Sequence, residues 1–127
     1  MEKEFVPYKI ALALKELGFD ESCFGFYDEF SNNKVCYGYS DGINKAPTFS
    51  QAFRFFREKY NLNGIIAPRF YNDGSLWYVT EEIDISKNDI NTLNSHLFQG
   101  IFEMHKTYEE AELECLKKLI EITKEQK

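Results

Sequence analysis

Apolar positions recur at helical spacing in three stretches of the chain. Between Val6 and Leu17 the residues Val6, Ile10, Ala13, Leu14 and Leu17 share one face. Pro7 fits the first turn, where its missing N–H costs nothing, and Gly18 supplies the stop. A second helix opens at Thr48, with Gln51 placed to complete a reciprocal cap. Phe49, Ala52, Phe53, Phe56 and Tyr60 form its stripe. The third opens at Thr107 with Glu110 in the same relation, and Leu113, Leu116, Leu119, Ile120 and Thr123 line its apolar side.

Alternation with a period of two marks the strands. Cys23–Phe30 sets Phe24, Phe26 and Phe30 on one face, and Val35, Tyr37 and Tyr39 alternate in the segment after it. Ser31-Asn32-Asn33 between them is turn chemistry, because Asn tolerates positive φ. Ile65–Tyr71 and Leu76–Ile83 form a second hairpin about Asn72-Asp73-Gly74. Pro68 cannot donate to a ladder, so it marks an edge strand or a bulge. Ser86–Gly100 is polar and Asn-rich and reads as a loop or insertion with room for a short helix. Ile101–Met104 is a further candidate strand.

In order this is αββαββα, two αββ units forming a weak internal repeat with hairpins about 40 residues apart. The expected fold is a single α+β domain over residues 1–127. Its antiparallel four-stranded sheet, built from two hairpins, carries three helices on one face.

Composition narrows the class. With 43% hydrophobic and 28% charged residues, the chain has the balance of a globular protein. No apolar run approaches the roughly 20 residues needed to span a bilayer, and the mixed-charge start Met1-Glu2-Lys3-Glu4 leads into no cleavable apolar segment, so a cytoplasmic location is expected. A net charge of −6 makes non-specific nucleic-acid binding a poor expectation. Cys23, Cys36 and Cys115 are scattered, and His96 and His105 lie far from them, which predicts reduced thiols and neither metal nor cofactor. Glu81-Glu82 and Glu109-Glu110 are adjacent acids expected on a solvated face. His105 is expected in a surface loop.

Three segments resemble a family of small uncharacterised proteins encoded by phages and mobile elements of gut anaerobes. They are Phe5–Tyr8 with Ala11–Asp20, Ala46–Tyr60, and Thr107–Leu113 running on to Ile122. The resemblance implies an accessory protein working in the cytosol of an infected or lysogenic bacterium against host defence. It implies no catalytic motif.

Charge placement supplies the candidate site. The three arginines fall between residues 45 and 69. There Lys45, Arg54, Arg57, Lys59 and Arg69 face the single acid Glu58, a local charge of +4. Arginine recognises phosphate and carboxylate groups and stacks on rings. Phe55 lies about 120° round the second helix from its stripe, either packed by a neighbour or exposed to a partner. The expected binding surface comprises Arg54, Phe55, Arg57, Arg69, Tyr71, Trp77 and Tyr78, suited to a small nucleotide-like anion or an acidic patch on a host protein. The competing reading pairs Arg54 with Glu58 and lays the stem of Arg57 along the core edge. On the first helix, Tyr8 and Leu12 lie opposite the main stripe and predict a homodimer interface. With neither catalytic triad nor phosphate loop, the reading is a non-enzymatic binding protein. The alternatives are a homo-oligomeric structural or regulatory protein and a small hydrolase.

Overall fold

The structure, a computed structural model, describes residues 4–28, 34–40, 45–85 and 103–125. Its elements run α1 (Tyr8–Glu16), β1 (Cys23–Asp28), β2 (Lys34–Ser40), α2 (Phe49–Tyr60), β3 (Leu62–Phe70), β4 (Leu76–Asp84), β5 (Glu103–His105) and α3 (Tyr108–Glu125). The α+β class and the antiparallel pairing agree with the sequence. The single four-stranded sheet does not: β1 and β2 form one sheet, and β3, β4 and β5 form another. The chain divides into two compact units, residues 1–55 and 56–127, with the boundary inside α2.

In the first unit, the α1 cap is set by local chemistry. Pro7 is the N-cap, and its carbonyl accepts from the amides of Ile10 and Ala11. At the other end Gly18 adopts φ +105, while the amides of Gly18 and Phe19 donate to the carbonyls of Lys15 and Leu14. That paired C-cap satisfies carbonyls the helix would otherwise leave open. Val6, Ile10, Leu14 and Leu17 are buried as the periodicity requires; Ala13 is half-buried and Ala11 is buried beside them.

The β1 strand alternates as expected, but the face turned inward is the one bearing Cys23, Gly25 and Tyr27. Phe24 is 76% exposed and Phe26 half-buried. The reason is the segment before α1. Phe5 lays its ring over Gly25, filling the space a side chain would take, and Tyr27 donates its hydroxyl to the carbonyl of Val6. Across the hairpin, Tyr37 opposes Gly25 and meets the Phe5 ring at 5.9 Å. Lys45 and Ala46 lie along the other edge of β1, bridging Phe26 and Gly25, and Pro47 and Thr48 then pair with Val6 and Phe5 ahead of α1. The expected turn at Ser31-Asn32-Asn33 lies outside the described residues.

In the second unit β4 is the central strand, with β3 on one side and β5 on the other. The register is continuous from Leu62 opposite Asp84 to Phe70 opposite Leu76. Pro68 therefore marks an edge strand rather than a bulge. β3 starts earlier than its apolar run because Asn61, at φ 56, ends α2 directly and accepts from the Ile85 amide. Met104 belongs to β5, as expected of the candidate strand; Ser86–Gly100, expected as a loop, lies outside the described residues. Helix α3 packs on all three strands and buries Ala111, Cys115, Leu116, Leu119, Ile120 and Thr123, while Leu113 is half-buried.

Candidate functional site

The second helix begins with the reciprocal cap its sequence announces. Gln51 N–H donates to Thr48 Oγ1 at 3.1 Å, and Thr48 N–H donates to Gln51 Oε1 at 3.0 Å. Its buried line, however, is Ala52, Phe55 and Phe56, with Phe49, Phe53 and Tyr60 only half-buried. Phe55 is 7% exposed and packs edge-to-face on Phe19 with ring centroids 5.5 Å apart. Its ring is thus withdrawn from the expected binding surface, packed by Phe19 two residues past the α1 C-cap Leu17.

Arg54 is engaged at 2.6 Å with Glu21, in the loop that follows α1. A carboxylate already holds that guanidinium, which weakens its claim as an anion receptor. Arg54 and Phe55 belong to the first unit; Arg57, Arg69, Tyr71, Trp77 and Tyr78 belong to the second. Arg57 lies on the exposed side of α2, and Lys59 reaches over the Tyr60 ring at 5.8 Å.

The β3–β4 hairpin sorts the remaining residues by face. Cross-strand partners share a face, and neighbours along a strand alternate. Arg69 stands directly opposite Trp77, on the same face as Ala67 and Val79, with Ile65 and Glu81 farther along. Met104 of β5 opposes Val79 and joins this face. Tyr71, in phase with Arg69, donates its hydroxyl to Met104 Sδ. The opposite face carries Pro68, Tyr78, Thr80 and His105, and there Tyr78 meets the Tyr108 ring of α3 edge-to-face at 5.8 Å. The hairpin therefore brings Arg69, Tyr71 and Trp77 together and turns Tyr78 away from them toward α3.

The turn between the strands is a three-residue loop, Asn72-Asp73-Gly74, closed by the Tyr71 amide on the Ser75 carbonyl at 3.0 Å. Gly74 takes φ +84, the left-handed position such a loop demands. Asp73 Oδ1 accepts from the Ser75 amide at 2.9 Å and from the Ser75 hydroxyl at 2.6 Å. Those bonds favour the carboxylate and hold Asp73 below the usual range. Ser75 Oγ in turn accepts from Trp77 Nε1 at 3.0 Å.

Exposure on the Arg69 face is mostly apolar. Ile65 is 41% exposed, Met104 48% and Tyr71 39%, with Trp77 half-buried among them. Arg69, Tyr71 and Trp77 are among the residues expected from the sequence; Met104, Ser75 and Asp73 are not. The signal was present in part: an Asp-Gly-Ser turn followed by Trp two residues on puts Ser75 and Trp77 on one face. Met104 could not be found this way, because its strand pairs across a long stretch of chain.

Three other expectations differ from the structure. Glu81 is buried, at 5% exposure on the central strand, rather than solvated, and its carbonyl faces Cys115 Sγ. His105 is half-buried in β5 opposite Tyr78, not in a surface loop. On α1, Leu12 is 42% exposed, but Tyr8 is half-buried with its ring edge-to-face on Tyr27 at 5.2 Å. The two do not make a paired exposed patch.

Cys23, Cys36 and Cys115 are free thiols. Burial pushes the Cys23 thiol up to about 11, against the smaller lowering effect of Lys45. Among the described residues no group of three or more His, Cys, Asp or Glu is placed to hold a metal ion, and no helix is long and apolar enough to cross a membrane. No family model, curated protein or solved structure matches the chain.

Proposed function

We propose that the protein works by binding rather than by catalysis, and that its working surface is the β3–β4–β5 face bearing Arg69, Tyr71, Trp77 and Met104. The observation that carries this reading is the direct opposition of Arg69 and Trp77 on a face whose other exposed members are apolar. Tyr, Trp, Met and Arg are the residue types enriched in protein interfaces, and Trp and Arg supply most binding hot spots. The favoured partner is a host protein that presents an acidic group beside an apolar side chain. The surrounding context is an accessory protein of a phage or mobile element acting against host defence in the bacterial cytosol. That context rests on sequence resemblance.

A second reading keeps a small nucleotide-like anion as the ligand, because a guanidinium opposite an indole offers both charge and a ring for stacking. One pair of experiments separates the two. Thermal denaturation with mono-, di- and cyclic nucleotides reads the small-ligand case, since a ligand at 100 times its dissociation constant adds about 2.7 kcal/mol. Capture from a bacterial lysate by wild type, Arg69→Ala and Trp77→Ala reads the protein case. A protein retained by the wild type and lost from both folded variants supports the favoured reading. A nucleotide shift that vanishes in Arg69→Ala supports the second. Equal capture by all three, with no nucleotide shift, removes the surface as a binding site.

A further inference from the structure

We infer that Asp73 is a positioning residue for Trp77, acting through the hydroxyl of Ser75 to fix the indole in the binding face. The inference deepens the functional reading above and rests on it for its purpose, but its geometry stands without a partner. A serine hydroxyl has one proton and two lone pairs. Here the proton goes to Asp73 Oδ1 at 2.6 Å, so a lone pair is left for the indole N–H, which reaches Ser75 Oγ at 3.0 Å. The Ser75 amide on the same carboxylate oxygen, at 2.9 Å, holds Asp73 in place from the backbone side. The bonds run in one direction, from indole to hydroxyl to carboxylate, and an ionised acceptor at the end strengthens the chain.

The consequence concerns what a partner can meet. With its N–H committed to Ser75, the indole is left to recognise through its ring, by apolar contact or stacking. The exposed charged side chain beside that ring is Arg69, directly across the ladder. The ligand class that matches is an anionic group carried on an apolar or flat body. A neutral hydrogen-bond acceptor seeking the indole N–H fits poorly.

Trp77 is the only tryptophan in the chain, so its fluorescence reads the indole alone. The test compares emission maximum and acrylamide quenching in the full-length free protein, with circular dichroism confirming the fold. Asp73→Ala and Ser75→Ala are expected to shift emission in the same direction and to increase quenching. The double variant is expected to go no further than either single one, because the two groups act in series. Asp73→Asn retains an acceptor oxygen and is expected to keep the wild-type spectrum. Ser75→Ala leaves the Ser75 amide on the Asp73 carboxylate and removes only the hydroxyl, yet is expected to shift it, an effect that loss of turn stability alone would not produce. Should Asp73→Ala fail to fold, Asp73→Gly replaces it in the turn with the same expectation. Wild-type emission in the folded Asp73 variant, or additive shifts in the double variant, overturns the inference. Because no partner is present, failure here is distinct from failure of lysate capture by Arg69→Ala.

Discussion

Gly25 shows how a single missing side chain can decide which face of a hairpin turns inward. A methyl group at this position would lie 2.9 Å from Phe5 Cε1 and 3.2 Å from Val35 Cγ1. The ring of Phe5 takes the space instead, and the strand follows by burying Cys23 and Tyr27 rather than its phenylalanines. Gly25→Ala is accordingly expected to destabilise the protein by about 1–3 kcal/mol, the usual cost of overpacking, as read by urea denaturation. Trimming Phe5 to Leu in the same chain should recover part of that loss. The thiols give a second residue-scale prediction. Cys36 is half-buried whereas Cys23 and Cys115 are buried, so a thiol reagent should label Cys36 first in the native protein and all three only after unfolding. The Cys23 thiol sits at about 11 against an ordinary 9.0, because burial disfavours the thiolate. A folded-state value raised above the unfolded one stabilises fully below the unfolded value, and that contribution is lost as pH rises through the folded value. The melting temperature is therefore expected to fall between pH 9 and 11, and Cys23→Ala should flatten that decline.

Among the elements, the second helix shows what can be read locally and what cannot. Its cap was legible because Thr48 and Gln51 are three residues apart and need only each other. Thr48→Ala is expected to cost about 1 kcal/mol for the same reason. Its buried line was legible only in part: periodicity places Ala52 and Phe56 correctly, but the choice between Phe53 and Phe55 depends on Phe19, supplied from beyond another helix. The partner of Arg54 was hidden in the same way, since Glu21 is 33 residues distant. Both side chains of that pair are substantially exposed, so Arg54→Ala is expected to cost under about 1 kcal/mol. On α3 the stripe was read nearly whole, and Leu116→Ala, at a site with no exposure, is expected to cost about 2–5 kcal/mol. The β3–β4 hairpin was legible from its turn and its alternation. The strand at β5 was legible as Ile101–Met104, but its pairing with β4 was not, because a three-residue strand carries no signal of the partner it will join.

For the whole molecule, the sequence announced an α+β protein with three helices and antiparallel strands, and those features are present among the described residues. Hairpins give pairing within each unit but contain nothing that joins one hairpin to the next, so the number of sheets was beyond reach. The candidate site suffered similarly: proximity in sequence gathered seven residues, whereas strand alternation retains Arg69, Tyr71 and Trp77 on one face and turns Tyr78 to the other. Capture of a partner from bacterial lysate by wild type, Arg69→Ala, Trp77→Ala and Tyr78→Ala tests that sorting directly, with each variant matched for fold by circular dichroism. The partner is expected to be lost with Arg69→Ala and Trp77→Ala and kept by folded Tyr78→Ala. Retention by the first two, or loss only with Tyr78→Ala, would contradict that sorting.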